Sequence, residues 1–275
     1  MLDPSPRLQR LLADEARTWL AEARSRVAGD RRELLKLFPQ LPRRIGRDGF
    51  AGGSAEAGDQ RVDFDAWRQC DAAALLLLQA AGADDELRLD LYLHGDLEER
   101  TMVLRALAAE PISGATVRLL EEVQRTNMVT HFEAAVCDSN LAARASADDR
   151  FGIEGFNRLL LKLAFLELPS ARVLDCERCA NEELSRMLQG LATEREAAGR
   201  GVWPDTDRLC ARAPTRGTLA RLIGHLEHGD DRLRLAAAEG LAQHAGSAAR
   251  AFLEERLPRE PRAEIRAAIE RALAR

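Results

Sequence analysis

The chain has 275 residues, 46% hydrophobic and only 4% aromatic, with Ala, Leu, Arg and Glu prominent. This mixture builds helices around a substantial core and excludes an all-β sandwich or barrel. Forty basic and 45 acidic residues leave a formal charge of −5, so no overall positive field draws the chain to phosphate backbones or anionic lipid, and nucleic acid is not an expected partner.

The first 20 residues carry Asp14 and Glu15 inside their apolar pattern and resemble neither a signal peptide nor an anchor. Leu8, Leu12, Ala16, Leu20, Ala23 and Val27 recur at three- and four-residue spacing, which predicts one long amphipathic helix. A shorter helix over 31–38 stops at Pro39. The stretch 46–61, with five glycines and no hydrophobic period, reads as a flexible loop. Asp63 is placed to cap a helix running through Trp67 and Leu75 to Leu78, with Gly82 ending it. The apolar run 72–78 within it is far short of the ~20 residues that span a bilayer. Helices are then expected over about 84–93, 97–109, 114–126, 128–138, 154–167 and 181–198, separated by Gly95, Pro111, Gly152, Pro169 and Gly199.

A recurrence unites parts of this pattern. His94-Gly95-Asp96 is followed by Arg100 and Leu107, and His228-Gly229-Asp230 by Arg234 and Leu241. Arg262, Arg266 and Leu273 repeat the offsets with a degraded start, and a weaker copy places His131 where the Arg stands. Such a register resembles the inner helix of HEAT-like repeats, in which an Asp caps the helix, an Arg reaches across to the neighbouring repeat and small residues allow close packing. The expected fold is all-α, a HEAT-like helical repeat array (α-solenoid) with no sheet. Its expected parts are N-terminal helices 1–45, the loop 46–61, a helical body 62–200, a linker 201–217 and C-terminal helices 218–275.

Candidate chemistry is sparse. The five cysteines, Cys70, Cys137, Cys176, Cys179 and Cys210, are odd in number and scattered, which fits a reducing cytoplasm better than a secreted disulfide framework. Cys176 and Cys179 form a C-x-x-C without the second ligand pair that zinc requires, so no metal and no other cofactor is expected. Asp84, Asp85 and Asp90 superficially resemble an acid-rich magnesium motif, but they open a predicted helix, where acids stabilise the N-terminal dipole. The segment 156–166 is apolar almost all round except at Asn157, Arg158 and Lys162. Two cations four residues apart on a greasy helix lose stability unless acids or a ligand face them. Acids such as Asp138, Asp148, Asp149 or Asp175 could meet them internally. The functional alternative makes Asn157, Arg158, Lys162 and Asp175 the lining of a groove for the polar or anionic end of a mostly hydrophobic ligand or partner segment.

Leu37-Phe38-Pro39 with the arginines at 44 and 47, the stretch 157–165, Leu174-Asp175 through Arg178, and Ala180-Asn181-Glu-Glu-Leu184 running to Gly199-Arg200 together resemble the EboA family over roughly residues 30 to 205. Where that family often carries Asn-Pro, this chain has Asn140-Leu141. The resemblance implies a helical cytoplasmic protein without established catalytic chemistry, encoded beside a UbiA-like membrane prenyltransferase and metal-dependent hydrolase-like enzymes, and needed to move a product toward the periplasm. It therefore implies a non-enzymatic scaffold or carrier. Its partners would be proteins of the same pathway, including a membrane prenyltransferase met peripherally at the inner membrane, and a hydrophobic small molecule. The alternative is a HEAT-like enzyme, of the lyase or prenyl-handling type, or less readily a DNA glycosylase, which needs a basic groove this acidic chain lacks.

Overall fold

A computed structural model describes residues 2–244 and 249–274. Among the described residues the chain is all-α, as its periodicity predicts, apart from one two-stranded hairpin. It divides into two compact units, Met1–Leu159 with Ala171–Asp175, and Leu160–Ser170 with Cys176–Arg275.

In the first unit the expected long N-terminal helix is two helices, Ser5–Leu11 and Asp14–Gly29. Leu12 and Ala13 are extended, with ψ of 142° and 158°, and Asp14 and Glu15 then open the second helix, where their charge faces its free N–H groups. No glycine or proline marks the break. Packing imposes it, because it lets Leu8, Leu12 and Leu20 all be buried.

The helix Gln69–Ala80 is the centre of this unit: every residue from Cys70 to Leu78 is buried. A helix buried on all faces must be surrounded, and it packs on Ser5–Leu11, Asp14–Gly29 and Leu97–Leu107. Asp63 does not start it. Its side chain instead caps a single 3-10 turn, Phe64–Ala66, while Asp71 closes the helix N-terminus through the Arg68 N–H at 2.9 Å and the Arg68 guanidinium at 2.8 Å. Gly82 ends the helix in the left-handed region, φ 54°.

The hairpin pairs Ser54–Ala57 with Gln60–Asp63 around Gly58, whose φ is 62°. This is where the chain differs from the expectation of no sheet. The strand is specified by alternation too short to stand out: Gln60 and Val62 are buried, and Arg61 and Asp63 are not. Single bridges extend it, Val62 to Ser139 and Ser139 to Val173. Phe50, Phe64 and Trp67 stack edge to face beneath, with centroids 5.7 and 4.7 Å apart. Gly52 is required there, since a Cβ would lie 2.4 Å from the Phe50 ring.

The second unit has its core between Thr218–His225, Asp231–Leu241, Ala249–Arg256 and Ala263–Leu273. Leu222, Leu226, Leu241, Leu253, Ile265 and Ile269 fill it. Small residues set the spacing: Ala237 and Ala238 are fully buried, and a Cβ on Gly240 would sit 3.0 Å from Leu222 and 3.2 Å from Ala211.

The repeated motif has a common local geometry. Asp96 accepts the Glu98 and Glu99 N–H groups, and Asp230 accepts that of Arg232. Arg262, in the equivalent place, makes no side-chain cap. The following arginine folds back on its own turn. Arg100 donates to the Gly95 and Leu93 carbonyls, Arg234 to His228 and Gly229, and Arg266 to Glu260 and Pro261. These carbonyls have no helical partner, so the guanidinium satisfies them. Arg234 alone among the three is also seen reaching the next turn, at Glu260.

Candidate functional site

Of the residues singled out from sequence, Asp175 is drawn into a polar seam of the first unit. The seam forms where residues 138–140 and 171–175 run beside the hairpin. Asp63 N–H donates to the Asp138 carbonyl at 2.8 Å, Asn140 N–H to Arg61 at 3.0 Å and Leu174 N–H to Ser139 at 2.9 Å. Asp138 and Asp175 take φ of 60° and 62°, a conformation Asp tolerates better than most residues.

Asn140, 3% exposed, is the hub. Its Oδ1 accepts from Arg61 N–H at 2.9 Å and Arg144 Nε at 3.3 Å, and its Nδ2 donates to the Asp59 carbonyl at 2.8 Å and the Asp175 carboxylate at 3.2 Å. Arg61 also reaches Asp175 at 2.9 Å. Arg144 donates to the Ala108 and Glu110 carbonyls at 2.7 and 2.9 Å, satisfying the end of the Leu97–Leu107 helix; burial pulls its guanidinium pKa down. Beside it Asp138 receives Arg172 in a two-pronged pair, 3.0 and 2.7 Å. The seam is a connected polar network that ties the hairpin to residues 138–140 and 171–175.

Asn157, Arg158 and Lys162 share the helix Gly152–Phe165. Asn157 is buried, at 3% exposure. Arg158 is exposed, with Nε donating to Gln124 Oε1 at 3.1 Å. Lys162 is half-buried, and that burial lowers its ammonium pKa. The helix fills the interior with Phe156, Leu159, Leu160, Leu163 and Ala164, yet leaves Ile153 and Phe165 exposed.

Cys70, Cys137, Cys176 and Cys210 are buried, and burial first of all pushes each thiol pKa up to about 12. They are protonated at neutral pH and are not activated nucleophiles. Cys176 Sγ–H donates to the Ser170 carbonyl at 3.3 Å. Among the described residues no group of three or more His, Cys, Asp and Glu is arranged to hold a metal ion.

A pocket of about 280 Å³ lies in the second unit. Its floor is apolar, formed by Trp203, Pro169, Pro204, Leu235 and Ala236. Trp203 is held there by its indole N–H, which donates to the Leu168 carbonyl at 3.1 Å, and Asp205 accepts the Ser170 N–H at 2.6 Å. The rim charges are matched within the unit: Arg208 with Glu239 at 2.8 Å, Arg232 with Asp230 at 2.8 Å, and Glu167 with Arg195. The pocket thus combines an apolar floor with a rim whose charges are paired. Trp203 lies within the stretch 201–217, which reads from sequence as a linker. The one available signal was a Trp-Pro pair, bulky and rigid, between flexible glycines.

These features define an almost wholly helical protein with a small apolar pocket and no described metal-binding cluster. The sequence model described as Metabolite traffic protein EboA matches residues 5–211, about three quarters of the chain, and the chain belongs to the EboA family. No curated protein and no solved structure matches it. Among the described residues no helix is long and apolar enough to cross a membrane.

Proposed function

We propose that this protein is a non-enzymatic carrier or scaffold for metabolite traffic, holding a hydrophobic, prenylated molecule in the Trp203 pocket while it engages proteins of the same pathway. The observation that carries the reading is the pocket itself: an indole, two prolines, a leucine and an alanine under charges that are already paired. Such a surface gains by burying apolar area and gives no anchor to a strongly charged substrate. The family's description as a traffic protein supports it. The buried, protonated thiols are consistent with binding rather than covalent chemistry.

In this reading the motif arginines rigidify HEAT-like turns, and the array is cytoplasmic, meeting a membrane prenyltransferase at the inner membrane. Asn157 and Asp175 serve folding. Lys162, half-buried in the second unit, is the cation that would meet the polar or anionic end of a ligand or partner segment there, and Arg158, exposed on the first unit, is a separate candidate contact. The test is extraction of small molecules co-purifying with the wild type and with Ala236→Trp, which fills the pocket. A stoichiometric apolar compound present in the first and absent from the second is expected. Equal recovery from both would overturn the carrier reading.

A further inference from the structure

We infer that a leucine-floored groove in the first unit is a homodimer interface, closed by a second copy of this chain. The inference is independent of the carrier reading. The groove encloses about 460 Å³ between the turns around Arg31–Glu33 and the helix Asp85–His94. Its floor carries Leu35, Leu89 and Leu93, of which Leu35 is 45% and Leu93 52% exposed. Leu89 and Leu93 are one turn apart, so they form a ridge rather than isolated surface residues, and a clustered apolar surface of this kind marks an interaction site.

The walls say what covers it. One wall is basic, with Arg31 and Arg32; the other is acidic, with Glu86 and Asp90. Arg31 is already tied to Asp84 at 2.6 Å, whereas Arg32 is exposed on its wall. A two-fold axis along the groove would lay the basic wall of each copy over the acidic wall of the other and face leucine to leucine. An axis across the groove would set like charges together and be rejected. Opposite walls on one surface are self-complementary in this one orientation, the arrangement an isologous dimer requires. A uniformly charged partner would be repelled by one wall or the other.

The experiment is sedimentation velocity on the full chain over a concentration series, at low and at high salt. A dimer that weakens with salt is expected. Leu93→Glu should abolish it. Arg32→Glu and Glu86→Arg should each weaken it about tenfold or more, and the double reversal should restore it. All three positions changed, Arg32, Glu86 and Leu93, are on the surface, and circular dichroism verifies that each variant keeps its helices. A monomer at the highest soluble concentration overturns the inference, as does a dimer indifferent to these substitutions or one that the double reversal does not rescue.

Discussion

Arg234 donates through Nε to Glu260 Oε2 at 2.9 Å, with the two side chains 6% and 0% exposed. Arg256 reaches the same carboxylate at 2.7 Å. Burial by itself would raise the Glu260 carboxyl, but hydrogen bonds from Arg234 and Arg256 outweigh it and hold its pKa at about 2, from an ordinary 4.5. A group lowered in the folded state stabilises it fully above its unfolded value and loses that contribution as pH falls through the folded value. The thermal midpoint of the wild type should therefore decline between pH 4.5 and 2. Glu260→Gln should show a flatter profile across that window, from a lower starting stability, because the buried Arg234 and the half-buried Arg256 lose the counter-ion they share.

The caps give a second expectation. Asp96 accepts two N–H groups, and its own N–H donates in return to the Glu99 carboxylate at 2.6 Å. Asp230 accepts one backbone N–H and also holds Arg232. Asp96→Ala and Asp230→Ala should each cost on the order of 1 kcal/mol by denaturant unfolding, with Asp96 the larger. Two neutral results would mean that the shared register of the motifs has no structural value.

How much of this could be read from sequence follows from how local each determinant is. The helices from Asp85–His94 to Glu182–Ala197 are marked by apolar spacing and by breakers such as Pro111 and Pro169, all within a few residues of the ends they set. The break at Leu12 carries no such mark, because what fixes it is packing on a helix some 60 residues away. The hairpin depends on Asn140, which binds Arg61 and Asp59 about 80 residues earlier in the chain. The motif arginine was legible as a type and not as a direction: it turns back to its own carbonyls as well as, at Arg234, outward to Glu260. Trp203 was hidden by its surroundings of Gly and Pro, although it packs to 2% exposure.

Asn140 should be the most sensitive polar position of the first unit. Replacing it with Leu strands the Arg61 N–H, the Asp59 carbonyl and part of Asp175, at a cost of about 3 kcal/mol. In a double-mutant cycle Asn140→Ala and Asp175→Ala should couple by about 1 kcal/mol. Additive losses would show that the seam is not one network.

Lys162 separates binding from folding. Its ammonium is desolvated in its half-buried place; the binding reading predicts that Lys162→Met leaves the unfolding free energy unchanged within about 0.5 kcal/mol or raises it, while metabolite traffic in cells falls. A clear loss of stability with export per folded molecule intact would assign the lysine to the fold.

The most direct test of the carrier account reads Trp203 itself. The chain has three tryptophans, Trp19, Trp67 and Trp203, so three indole N–H signals should appear in a heteronuclear correlation spectrum, assigned by Trp→Phe variants. Titration with geraniol, a short prenyl alcohol, should move the Trp203 signal saturably and leave Trp19 and Trp67 in place, and Ala236→Trp should abolish the shift. A Trp203 signal unmoved at saturating probe, or equal movement of all three, would contradict the account.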